Sequence, residues 1–184
     1  MTIYSTSLPS PFGLLTVTAT CDGVCALSFE GEKVRHDRYE RKASPGNQRL
    51  YRQVDLDDLS VPSKEQQVLK VAVDTLQRYF DGSEIELAIP LAPSGTPFQR
   101  TVWRVLLTIP YGETRSYGWV AEQLGMKYGA RAVGGACGSN PIPVIIPCHR
   151  VIASNGNIGG YSGGGAGEGI SIKRGLLALE GVTV

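Results

Sequence analysis

Three short runs near the start of the chain, IYSTSL, LLTVTAT and VCALSFEG, are rich in β-branched and apolar residues. Only turn residues separate them: Ser10-Pro11-Phe12-Gly13 and Asp22-Gly23. Strand-forming runs joined this tightly pair with their neighbours as antiparallel hairpins, so residues 2–30 are predicted to form the nucleus of a sheet. Polar and charged residues 31–62 follow, read as a short helix with loop. Ser63 can cap a helix with Gln66 as its capping-box partner. Val68, Leu69, Ala72, Val73, Leu76 and Phe80 then recur at helical spacing before Asp81-Gly82 ends the run.

The stretch IELAIPLAPSGTP reads as a last strand and a linker, which places a domain boundary near residues 88–96. Beyond it the periodicity is helical. FQRTVWRVLLTI puts Phe98, Val102, Val105, Leu106 and Ile109 on one face, and Pro110-Tyr111-Gly112 stops it. A second helix is predicted from Ser116 to Leu124, a third from near Gly129 to about Gly138, and a short last one from Ile172 to Leu179. Residues 154–169 contain eight glycines and read as a long loop. The fold class is therefore α+β. A small sheet-plus-helix domain spans 1–90, and a mostly helical domain with a helix-turn-helix spans 91–184.

Composition narrows the function classes. No apolar run is long enough to span a bilayer, and MTIYSTSLPSPFG lacks the basic-then-apolar pattern of a secretory signal. A cytoplasmic protein without membrane association is the expectation. Four cysteines in 184 residues, unevenly spaced, make no disulfide framework. Residues 1–95 carry 10 Lys+Arg against 13 Asp+Glu, a balance of −3. Residues 96–184 carry 8 against 4, a balance of +4, so a polyanion would prefer the C-terminal half.

The helix pair joined by Gly125-Met126-Lys127-Tyr128 suits either an ordinary αα-hairpin or a helix-turn-helix. Its second helix, GARAVGGACG, is unusual. A major-groove reader presents several long polar side chains to base edges, whereas this helix has only Arg131. Each interior glycine costs about 1 kcal/mol relative to alanine. So smooth a face implies tight packing or insertion into a narrow groove, with Arg131 as a wedge or phosphate clamp.

The apolar run before Cys148 is too rich in proline for a helix and reads as an extended, strand-like segment. Cys148 itself has three readings. As a zinc ligand it has only Cys137 and His149 nearby in sequence, short of the usual four ligands. Cys21, Cys25 and His36 fall short in the same way. As a buried apolar residue it would be ordinary. As a nucleophile it would need a base and an orienting group. His149 is the only histidine in this half, and its glutamates are Glu113, Glu122, Glu168 and Glu180.

Pro147-Cys148-His149-Arg150-Val151 closely resembles the active-site motif of the O6-alkylguanine-DNA alkyltransferases. TPFQRTVW, IPYGETRSYGWVAEQLG, ARAVGGACGSNPIPVIIPCHRVI, GGYSGG and LLALEG resemble the same family in its order, covering about residues 96–181. SPFG is the best local match in the first half, which resembles the family's ribonuclease-H-like N-terminal domain.

The resemblance implies a stoichiometric, cofactor-free and metal-free DNA repair transferase. It would move the alkyl group of O6-alkylguanine, and of O4-alkylthymine, irreversibly onto Cys148. His149 would take the thiol proton through a water, Glu180 would orient His149, and Asn140 would hold the turn that places the site. Tyr117 would donate to guanine N3 with Lys173 in support. Carbonyls of Cys148 and Val151 and the amide of Ser162 would bind the base, with Pro143 and Tyr161 lining the pocket and Arg150 among the substrate-contacting residues. The partner would be double-stranded DNA, bound by a monomer through the minor groove. Ala130 and Ala132 would allow close approach, and Arg131 would fill the stack left by a flipped nucleotide.

The sequence departs from the family at GAGEGISIKRG, longer and richer in glycine than usual, and at Gly175, where an aromatic residue is common. Two other classes share parts of this pattern: a lesion-binding protein without transfer, and a cysteine hydrolase using Cys148, His149 and Glu180.

Overall fold

A computed structural model describes residues 3–30, 51–55, 63–83, 88–161 and 168–184. The chain divides into two compact units at Ser94/Gly95.

In the first unit, β1 (Ile3–Ser10), β2 (Gly13–Thr20) and β3 (Gly23–Phe29) form the two predicted hairpins. β1 and β2 are in register from Tyr4–Ala19 to Ser10–Gly13, and a bulge interrupts β2 against β3 at Thr18/Ala19. A short β4 (Tyr51–Gln53), inside a segment read as helix and loop, pairs parallel to β1 and completes the order β3-β2-β1-β4. The remaining expectations for 31–62 lie largely outside the described residues.

Helix α1 (Lys64–Phe80) has the predicted capping box, with Ser63 and Gln66 bonding each other's backbone reciprocally. Its buried face, Val68, Leu69, Ala72, Val73, Leu76 and Tyr79, packs on the sheet face that carries Leu8, Leu15, Val17 and Leu27. Of the predicted strand near 85–90, the described part forms one bridge, Leu91 beside Val24. Val24 donates to Pro90 O and accepts from Ala92 N, which covers the β3 edge. Gly23 makes this approach possible: its φ is +140°, and a Cβ there would lie 2.4 Å from Pro90 O.

In the second unit, α2 (Pro97–Leu106) starts at a Thr96/Gln99 capping box with proline in the first turn. Its core side chains are Val102, Trp103 and Leu106, with Ile109 just beyond, whereas Phe98 is 36% exposed. The indole of Trp103 donates to Ala136 O at 3.0 Å, pinning α2 to the second helix of the predicted pair. That pair is α3 (Tyr117–Gln123), capped by Ser116, and α4 (Ala130–Cys137). A two-stranded parallel ribbon, β5 (Arg115–Ser116) with β6 (Val151–Ile152), sets the start of α3 beside the chain that follows Cys148.

Two expectations are corrected here. The run before Cys148 is not strand-like but a succession of turns ending in a 3-10 helix, Cys148–Arg150. Helix α5 (Glu168–Leu179) begins four residues before the predicted Ile172. Gly169 explains part of this, since a Cβ there would lie 2.7 Å from Tyr161 O, so the helix start packs too closely for any side chain. Among the described residues no helix is long and apolar enough to cross a membrane.

Gly23→Ala combines a disfavoured φ with a backbone clash. It is expected to lose roughly 1–3 kcal/mol of stability in urea unfolding, and an unchanged midpoint would show that the edge can shift without cost.

Candidate active site

The turns that present Cys148 are held by Asn140. Its side-chain oxygen accepts from Ile142 N at 3.0 Å, and its amide nitrogen donates to Ile146 O at 2.8 Å and to Cys148 Sγ at 3.1 Å. Between these anchors the chain makes two γ-turns. Ile145 N donates to Pro143 O across Val144, whose φ is +71°. Cys148 N donates to Ile146 O across Pro147, at φ −81° and ψ 61°. The second is the common inverse form, which proline suits, and the first is the rare strained form. Positive φ at a β-branched residue costs about 1–3 kcal/mol, and it persists because Val144, Ile145 and Ile146 are all fully buried.

The 3-10 helix then sends Cys148, His149 and Arg150 in different directions, as a strand could not. His149 Nε2 lies 2.8 Å from Glu180 Oε1. Arg150 donates from Nε to both Glu180 oxygens at 3.2 and 2.9 Å, and from Nη2 to Oε1 at 3.0 Å. Gly112 N adds a donor to Oε2 at 3.1 Å. The guanidinium also donates to Ile109 O at 2.6 Å and lies over the Tyr111 ring, whose hydroxyl donates to Leu179 O. Gly112 has φ +73° and could not carry a Cβ without pressing on Glu180 O at 3.1 Å.

Burial pushes the Glu180 carboxyl up, but the hydrogen bonds from His149 and Arg150 outweigh it and bring the pKa down to about 2. Burial lowers the pKa of His149, against the opposing pull of Glu180. The result is a neutral imidazole next to a fixed carboxylate, poised to accept one proton and be stabilised once charged.

On the other side of Cys148, Lys173 is wholly buried and donates to Val151 O at 2.6 Å. Its ammonium lies 5.9 Å from the centre of the Tyr117 ring. Burial lowers the Lys173 pKa. Burial, then the neighbouring Cys137 and Cys148 thiols, raise that of Tyr117 to about 12. Cys137 is pushed up in the same way, first by burial and then by Cys148, which keeps it a protonated, inert thiol. Gly159 packs against Tyr117, where a Cβ would meet its hydroxyl at 3.2 Å.

The structure thus gathers Cys148, His149, Glu180 and Asn140, with Tyr117, Lys173 and Val151 adjoining. Pro143 and Tyr161 are buried. Ala130, Arg131 and Ala132 are exposed on α4. Ser162 lies outside the described residues. Arg150, expected among the substrate-contacting residues, has a buried guanidinium that holds Glu180 and Ile109 O. Sequence reasoning also missed Tyr111 and Gly112, having read Pro-Tyr-Gly only as a helix stop. The carbonyls of Cys148 and Val151 each already accept one bond, from Val151 N and Lys173 Nζ. Among the described residues no three side chains are gathered to hold a metal.

A cysteine bonded by Asn140, a buried histidine–carboxylate pair beginning at the next residue and a buried lysine define a candidate cysteine-dependent site. Comparison with known proteins makes this specific. Residues 97–182 match the family described as 6-O-methylguanine DNA methyltransferase, DNA binding domain. Residues 3–93 match its ribonuclease-like domain. The chain is 37% identical over 180 residues, 97% of its length and 86% of the relative's, to a methylated-DNA–protein-cysteine methyltransferase of Haemophilus influenzae. It is 55% identical over 109 residues to the Mycobacterium tuberculosis protein of that name, a match spanning 59% of this chain and 63% of the relative. The crystal structure of Mycobacterium tuberculosis OGT in complex with DNA aligns over 96% of this chain and 92% of that one, at a TM-score of 0.75 and 38% identity. The chain belongs to the 6-O-methylguanine DNA methyltransferase family.

Glu180→Gln keeps the size of the side chain but leaves Arg150 buried without a counter-charge. A loss on the order of 3 kcal/mol at pH 7 is expected in chemical denaturation. Because the folded carboxyl is depressed from 4.5 to about 2, its contribution is present above 4.5 and is lost as pH falls toward 2. The wild-type stability should fall through that window. The variant should lack that component, and parallel acid limbs would count against it.

Proposed function

We propose that this protein is a direct-reversal DNA repair transferase that moves the alkyl group of O6-alkylguanine, and of O4-alkylthymine, onto Cys148 in one irreversible event. The observation that carries the reading is the thiol of Cys148, bonded by Asn140 and next in the chain to a His149 that is paired with buried Glu180.

In this mechanism Sγ attacks the alkyl carbon, a C–S bond forms, and the bond to O6 breaks. His149, neutral at rest, takes the thiol proton through a water, and Glu180 stabilises the imidazolium. Tyr117 donates its proton toward N3 of the departing base. With a pKa near 12 the phenol holds its proton until guanine develops charge. Lys173, its pKa lowered by burial, then returns a proton to the tyrosine oxygen. Once the imidazolium has released its proton to solvent and Lys173 has taken one back, the net result is one proton moved from sulfur to guanine and a thioether on the protein. No cofactor or metal enters this scheme.

The target base must leave the stack to reach a buried thiol. In this reading a monomer binds double-stranded DNA through the minor groove, α4 approaches by its Ala130 and Ala132 surface, and Arg131 occupies the vacated position. Pro143 and Tyr161 line the base pocket, where the Ser162 amide and the Cys148 and Val151 carbonyls bind the base. Repair of this kind takes place where the DNA is, the cytoplasm in a prokaryotic cell.

Incubation with an O6-methylguanine duplex followed by intact-protein mass spectrometry is expected to give one methyl per chain, on Cys148, and none in Cys148→Ala. Repeated turnover would indicate the hydrolase, and tight binding without modification the lesion-binding protein. Arg131→Ala is expected to slow duplex repair roughly tenfold or more while leaving reaction with the free alkylated base within about twofold. Equal losses on both would remove the flipping role.

A further inference from the structure

Tyr128, in the turn between α3 and α4, is 88% exposed, far beyond the other exposed large apolar side chains of the described residues, which range from 36% to 47%. Such exposure in a tight turn calls for an explanation. The backbone around it is firmly held. Gly129 is buried, its N donates to Met126 O, and its O accepts from Val133 N. A Cβ at Gly129 would lie 2.8 Å from Met126 Cβ and 3.1 Å from Ala121 Cβ. The chain is therefore pinned against α3 at 129, and the ring at 128 projects into solvent from a fixed base. Beside it, Lys127 Nζ lies 5.5 Å from the ring centre.

Tyr128 also continues the exposed surface of α4. It lies two residues before the first residue of that helix, whose Arg131, Ala132 and Gly135 are exposed as well. Two of them, Arg131 and Ala132, belong to the strip that the proposed function sets against DNA. From Gln123 to Gly167 the chain has no acidic side chain, so Lys127 and Arg131 meet no carboxylate from their own segment. From 132 back to 130 the helix rises about 3 Å, and the two steps through the turn to 128 add up to about 3.5 Å each, a separation on the order of 6–10 Å. That is comparable to the minor-groove width of about 6 Å. With Ala132 at the groove, a ring at 128 reaches the groove wall.

We propose that Tyr128 and Lys127 form a second DNA contact on the sugar–phosphate backbone bordering the groove that α4 enters. The ring packs along deoxyribose C–H edges, its hydroxyl donates to a phosphate oxygen, and the Lys127 ammonium neutralises a neighbouring phosphate. The contact carries no sequence or lesion information and fixes the register of α4 on the duplex. This inference rests on the DNA-repair reading above.

The test measures equilibrium binding to an undamaged duplex over a salt series, together with single-turnover methyl transfer from an O6-methylguanine duplex and from the free base. Tyr128→Ala should weaken duplex binding roughly five- to tenfold and leave the slope of log K against log salt unchanged. Tyr128→Phe should give a smaller loss, and Lys127→Ala should reduce the slope by about 0.9. Transfer from the free base and the thermal midpoint should match wild type in all three variants. Wild-type binding reproduced by Tyr128→Ala would overturn the contact, as would an equal loss on the free base or a loss confined to damaged duplex. Wild-type protein that neither binds nor repairs duplex would instead overturn the repair reading itself.

Discussion

The buried carboxylate of Glu180 is bonded by three residues from two separate parts of the second unit: His149 and Arg150 of the 3-10 helix, and Gly112 of the turn after α2. A carboxylate taken out of water is costly unless its lone pairs are filled. Here charge-assisted bonds fill them, from a guanidinium in fork geometry and from an imidazole. Arg150 extends the same network to Ile109 O, and Tyr111 packs beneath it while bonding Leu179 O. The end of α2, the end of α5 and the nucleophile segment are thereby tied to one charge. Remove that charge and a buried arginine is left without a partner in the part of the molecule that must keep Cys148 in place.

Arg150 also bears on the chemistry. Were His149 alone to share Glu180, the pair could draw a proton onto the imidazole in the resting state. Arg150 takes much of the carboxylate's hydrogen-bonding capacity, and its charge adds to burial in keeping His149 neutral. Rigidity on the other side comes from Asn140, whose three bonds support turns that include a strained Val144. A site held by saturated polar groups and packed apolar turns has little room to adjust, so in the proposed function a group added to the Cys148 sulfur would overpack a finished core.

The hairpins, the capping boxes and the helix pair were legible because local chemistry determines them: turn residues, Ser63 with Gln66, and helical spacing. Cys148, His149, Asn140 and Glu180 were legible through resemblance, since spacing alone left packing and catalysis both open for Cys148. Three features were not legible, each for a different physical reason. The γ-turns before Cys148 depend on a φ that valine disfavours, so propensity points away from them. Arg150's role depends on Glu180, thirty residues away, and beside a catalytic motif an arginine suggests substrate. Helix α5 begins among glycines because a close approach to Tyr161 O favours them there, which outweighs their poor helix propensity.

The composition of α4 follows from the same division of labour. Its inner side is fixed by Val133, Ala136 and Cys137 in the core and by the Trp103 bond to Ala136 O. That anchoring offsets the helix propensity lost at Gly134 and Gly135, so the outer side is free to be nearly featureless. In the proposed function such a surface reads no sequence, which suits a target that is a modified base in any context. On that reading discrimination resides in the pocket, where an extruded base would meet Cys148, and affinity comes from the long side chains at the edges: Arg131 on the helix and Lys127 with Tyr128 in the turn before it.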